Sequence, residues 1–157
     1  MRVVISLGVA VSLLMASSVT QAADEKQIKE AIEYRQSALS VMGWNFGPLG
    51  AMAKGDMEYD AEEASMRAER VAVLAKMPWE GFIEGSLRGA GHGADTDALA
   101  KIADNRDDFE SLQREMEDAT AKLAEVAQQD DYAALRQQVA ATGKTCKNCH
   151  DEYRADD

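Results

Sequence analysis

The chain has little of what punctuates or cross-links a protein: two prolines, two cysteines and two histidines among 157 residues. No stretch alternates apolar and polar residues convincingly, so nothing signals a sheet. Basic residues are also scarce, 17 against 28 acidic. That balance argues against nucleic acid or an anionic membrane surface as a partner. It permits a basic protein partner without specifying one, and it also keeps a surface soluble. Long apolar runs are missing too, with one exception at the very start, MRVVISLGVAVSLLMASSVTQAA.

That opening has the order of a secretory signal. Arg2 supplies a positive start, residues 3–15 form an apolar run, and Thr20, Gln21 and Ala22 supply the small residues of a cleavage site. The run is too short and too poorly flanked for a membrane span. Residues 1–22 are read as a cleaved signal and 23–157 as one domain of ordinary size. Losing Arg2 takes the net charge from −11 to −12. The expected destination is a bacterial periplasm.

Four helical stripes organise the rest. Ile28, Ile32, Arg35, Leu39, Met42, Phe46 and Leu49 recur at steps of three and four, with Gly47-Pro48 expected to kink or loosen that helix near its end. Asp60 followed by Glu63 reads as a capping box, opening a second helix with Ala64, Ala68, Val71 and Leu74 inward and Met77-Pro78 closing it. Residues 78–95 hold five glycines and a proline and read as a long loop, in which Trp79 and Phe82 fold back onto something apolar. A third helix is expected from about Thr96, its seam running Ile102, Phe109, Leu112, Met116, Ala119, Leu123 and Val126. Asp130 or Asp131 caps a fourth, with Tyr132, Leu135, Val139, Thr142, Cys146, Cys149 and Tyr153 inward. The fold class is all-α, an antiparallel four-helix bundle.

Both cysteines and one histidine fall in TCKNCHDEYR, residues 145–154. An exported chain usually bridges its cysteines, but a bridge across so small a loop adds little stability. Cys146, Cys149 and His150 instead share nearly one helix face, and C-x-x-C-H is the attachment signature of a c-type haem. Thiols one turn apart can each bond a porphyrin vinyl group, and the next residue then aims its imidazole at the iron. Three other readings stand beside this one. A thioredoxin-like pair would start a helix after a strand. A zinc site would need His92 as well. A structural pair would leave His150 merely exposed. Arg35 interrupts an apolar seam; it either snorkels to the bundle edge or pairs with a haem propionate. His92, alone among glycines, reads as a solvated loop residue.

The stretches YRQSALSVMGWNFGPLGAMAKG, MPWEGF and CKNCHDEYR resemble cytochrome c′, the high-spin branch of the class II c-type cytochromes, over essentially all of 23–157. The resemblance implies a four-helix bundle, commonly a homodimer, with one haem c held covalently by Cys146 and Cys149. It implies His150 as the only protein ligand to iron, Arg35 at a propionate and Arg154 near the proximal face. Related six-coordinate cytochromes carry methionine where this chain has Leu39, so a vacant apolar distal side is implied. Met42, one turn on, is the alternative second ligand. The expected function is electron transfer with unidentified redox protein partners and binding of NO and CO. The rival is a haem enzyme consuming NO or peroxide, which would need a distal acid or base that the Leu39 stripe lacks.

Overall fold

A computed structural model describes residues 23–156; the expected signal, 1–22, lies outside the described residues. Four helices carry the fold: α1 (Glu25–Lys54), α2 (Ala61–Leu74), α3 (Arg106–Ala127) and α4 (Tyr132–Tyr153). Among the described residues there is no strand, only an isolated bridge between Ala98 and Arg154. The helices pack as a closed ring, each on its chain neighbours and α4 back on α1.

Short polar side chains set the starts. Asp24, Asp60 and Asp131 each accept a backbone N–H three residues on, from Gln27, Glu63 and Ala134. Gly55, in the left-handed region at φ 83°, ends α1. The last carbonyls of α1 are met by α4: the Tyr132 hydroxyl donates to Met52 O and Arg136 Nε to Ala53 O. The start of α4 therefore lies beside the end of α1, which makes the two antiparallel.

Helix α1 runs through Gly47-Pro48 to Lys54. Proline forgoes one backbone bond there, and a glycine before it carries no Cβ to crowd the ring. Helix α3 begins at Arg106, not near Thr96, because residues 97–99 give their backbone groups to other segments. Arg88 N–H donates to Ala98 O, Leu99 N–H to Tyr153 O and Ala155 N–H to Asp97 O. Ile102 is still buried, but on a 3₁₀ turn (Ala100–Ile102).

The core divides in two. One cluster joins Leu49, Met52, Ala64, Ala68, Val71, Leu123, Leu135 and their neighbours. The other gathers Ile102, Phe109 and Tyr153, with Trp79 and Phe82 against them. A cavity of about 580 Å³ borders both clusters.

Glycines supply a test of the packing. A Cβ on Gly81 would fall 2.6 Å from Ala31 O and 2.8 Å from Arg35 Cβ, whereas one on Gly50, inside α1, meets nothing within 4 Å. Gly81→Ala is expected to destabilise by about 1–3 kcal/mol through overpacking, and Gly50→Ala to stabilise by up to about 1 kcal/mol through helix propensity. Thermal unfolding of both variants checks the opposite signs.

Candidate cofactor site

Helix α4 forms one wall of the cavity because its stripe continues unbroken from Leu135 through Val139 and Thr142 to Tyr153, all buried. Cys146, Cys149 and His150 lie on the cavity side of this same helix, the thiols half-buried and the imidazole exposed at the mouth. Burial pushes both thiols above their ordinary range, Cys149 to about 11 with help from Cys146 and Asp108. Partial burial, then the nearby Arg154, lowers the His150 imidazole, while Asp151 opposes them. The net direction favours neutral imidazole, the form that ligates metals.

Opposite stands α1, with Leu39, Met42 and Phe46 lining the cavity. Leu39 brings only hydrocarbon; Met42 brings a thioether that is almost fully buried. The two most buried hydroxyls of the lining are both committed. Thr142 Oγ1 donates to Ala119 O at 3.2 Å and Thr120 Oγ1 to Glu117 O at 2.9 Å. The remaining wall is aromatic. Trp79 stacks on Phe82 at 6.0 Å, Phe82 meets Phe109 at 4.9 Å, and Phe109 meets Tyr153 edge-on at 5.4 Å. The inward folding of Trp79 and Phe82 is as expected; the completed aromatic wall is not something periodicity could show.

Arg35 lines the cavity at 2% exposure, so it does not snorkel. Nη1 donates to Gly81 O and Ser86 Oγ, both at 2.8 Å, and Nη2 to Ser86 O at 2.6 Å and Thr96 Oγ1 at 2.8 Å. Phe82 lies under the guanidinium at 4.4 Å. Among the described residues no carboxylate balances it, and burial alone pulls its pKa down to about 10. Arg154, at the mouth, places Nε 3.6 Å from Asp97 Oδ2 and donates its backbone N–H to His150 O.

His92 corrects another expectation. It is 7% exposed, not solvated, with Nε2 2.9 Å from Leu87 O and Nδ1 accepting Ala94 N–H at 3.1 Å. Both ring nitrogens are occupied inside its own loop, so the zinc alternative loses its fourth donor. The thioredoxin alternative fails as well, since the cysteines sit deep in a 22-residue helix with no strand before it among the described residues.

The residues present fit a covalently held haem. Two thiols at i and i+3 and an imidazole at i+4 share one wall, the volume falls in the range of roughly 300–1,000 Å³ usual for ligand sites, and a buried cation without a carboxylate partner faces the same space.

Comparison with known proteins points the same way. A family model described as Cytochrome C′ matches residues 30–154. A cytochrome c′ from Halomonas halodenitrificans is 54% identical over 129 residues, covering 82% of this chain and 98% of that protein. Cytochrome c-554 from Cereibacter sphaeroides is 35% identical over 158 aligned positions, covering 100% of both. Among solved structures, cytochrome c prime from Shewanella frigidimarina superposes with a TM-score of 0.75 at 45% identity, over 82% of this chain and 97% of that one. The nitric oxide complex of a leucine-to-alanine variant of cytochrome c prime from Alcaligenes xylosoxidans gives 0.74 at 31%, over 83% and 97%.

The buried Tyr153 hydroxyl donates to Asp108 Oδ2 at 2.6 Å, and that bond, with burial and the Asp108 charge, pushes the phenol up to about 12. A folded value above the ordinary one of about 10 means the bond contributes stability below pH 10 and loses it as pH rises through about 12. Asp108→Asn is expected to bring this ionisation down toward 10, and Tyr153→Phe to abolish it, in an ultraviolet pH titration.

Proposed function

The chain belongs to the cytochrome c′ family, whose members bind haem c, and from that premise we propose that it is an exported haem protein that carries electrons between protein partners and binds NO and CO. The observation that carries this reading is the pair of facing walls: α4 offers two thiols and an imidazole, and α1 offers Leu39, which has no donor atom. When bound, haem supplies a one-electron couple and a coordination position for a diatomic ligand.

The chain's own residues do the rest. Cys146 and Cys149 anchor the group through thioethers, and His150, held neutral, is its one protein ligand. Leu39 and Phe46 keep the opposite side apolar and crowded. The two most buried hydroxyls of the lining, Thr120 and Thr142, already donate to backbone carbonyls, and Leu39 brings no donor, so ligands that need no donated proton are favoured. Arg35 contributes a buried positive charge toward the haem carboxylates, and Arg154 stands beside the His150 face. Leu39, Met42 and Phe46 carry no titratable group, which disfavours an enzyme consuming NO or peroxide. Residues 1–22 act as the export signal, 23–157 form the haem domain, and the periplasm is its place; no described helix is long and apolar enough to cross a membrane.

A homodimer is the assembly that the outside of α1 supports. Residues 36–53 contain no charge, and Val41 and Trp44 point outward, Trp44 at 78% exposure. On the adjacent α2, Met66 and Val73 are exposed, as is Met77 just beyond its end. A second copy of this apolar face is the occupant we propose.

Absorption spectra of the reduced protein, with and without CO, test the vacant position. A high-spin spectrum that CO changes is expected; a sharp low-spin spectrum that CO leaves alone would place Met42 on the iron. Leu39→Met is expected to convert the iron to low spin. Turnover of NO or peroxide with a reductant is expected to stay near the free-haem background. Trp44→Asp is expected to weaken self-association by about 2 kcal/mol or more, read by sedimentation.

A further inference from the structure

We infer that Arg35 is a positioning residue that fastens residues 81–98 as a strap across the cofactor site, so that the chain itself sets this wall before any cofactor carboxylate takes part. The haem reading above matters here only for what the wall encloses. An arginine recruited for a carboxylate keeps its two-pronged edge free for bidentate pairing. Here both prongs are committed to neutral oxygens at three points of one segment, Gly81, Ser86 and Thr96. Those points lie 46 to 61 residues from Arg35 in the chain. A lysine ammonium, a single point with three donors, cannot span them.

The rest of the segment is tied consistently with this. Gly81 is pressed so closely on α1 that no Cβ fits. Gln36, next to Arg35, donates from Nε2 to Asp95 O at 3.0 Å. Thr96 Oγ1 also accepts Ala98 N–H at 3.2 Å, which turns the chain after the Arg35 contact. In the middle, His92 closes the residues from Leu87 to Ala94, where Gly89, Gly91 and Gly93 hold positive φ. At the far end, Leu99 N–H and Ala155 N–H make backbone bonds of 2.9 and 2.8 Å that join the strap to the chain just beyond His150. Asp97 then faces Arg154. One buried guanidinium on α1 is thus linked, through the strap, to the residues that follow the proposed iron ligand.

Amide hydrogen exchange of residues 83–97 tests this on the full haem-loaded chain and on the full chain made without haem. The variants are Arg35→Gln, Arg35→Lys, and Ser86→Ala with Thr96→Val, which leaves the guanidinium but removes two acceptors. Loss of such buried bonds is expected to speed exchange by about tenfold or more in all three, with lysine no better than glutamine. In the haem-loaded acceptor variant the ferrous iron–histidine Raman band is expected to shift, while Ala90→Ser, at an exposed strap residue, leaves it in place. Wild-type protection in Arg35→Lys, or unchanged exchange in the acceptor variant, overturns the inference. Fast exchange with an unmoved band overturns the positioning role. If Arg35→Gln fails to fold, the acceptor variant decides. A chain that stays colourless after haem maturation would sink the haem reading, and exchange on the haem-free chain would still judge the strap.

Discussion

A guanidinium in the interior of a helical bundle is the constraint on which this site depends. Removing a unit charge from water costs several kcal/mol even after relaxation, and at Arg35 no described carboxylate offsets it. What makes the position tenable is four donated bonds and an aromatic face. Those acceptors come from a glycine-rich segment that, left to its own backbone entropy, would not hold one conformation. The charge needs the strap and the strap needs the charge. The cost of burial becomes a device for ordering eighteen residues that carry few apolar side chains of their own.

The other walls are made differently. Helix α4 presents its thiols by register alone: the same three-and-four spacing that buries Leu135, Val139 and Thr142 carries Cys146 and Cys149 to the cavity. Helix α1 presents hydrocarbon at Leu39 and Phe46. The two most buried hydroxyls between these walls, Thr120 and Thr142, find carbonyl acceptors on α3. The chemistry of the site is therefore as much a matter of donors withdrawn there as of ligands supplied.

How much of this was legible in the sequence depended on the range of the interactions. Helix stripes, the Asp60 and Asp131 caps and the C-x-x-C-H spacing are local patterns and reappear in the structure, although Glu63 turns to Arg67 instead of closing a capping box on Asp60. The start of α3 was misread because residues 97–99 form backbone bonds to Arg88, Tyr153 and Ala155, partners that no window of periodicity contains. His92 was misread for a related reason: flanking glycines suggest solvent, yet they are what lets the backbone curl tightly enough to bury the ring. Arg35 stood out as a charge within an apolar seam, but Ser86 and Thr96 could not be named as its partners. Small polar residues in a glycine-rich loop gave the one available hint.

Walls of unequal construction also open unequally. Local unfolding follows the segments with few buried apolar contacts and many exposed backbone groups. Along this cavity that description fits the strap, where Gly89, Ala90, Gly91 and Gly93 are exposed, and not α1 or α4, whose inner faces are packed into the two core clusters. Any transient widening of the site should then pass through residues 81–98, while the α4 wall that carries the thiols and imidazole stays in register. Ligand entry and cofactor retention would be separated in this architecture, one governed by hydrogen bonds to a single arginine and the other by helix packing together with covalent anchorage.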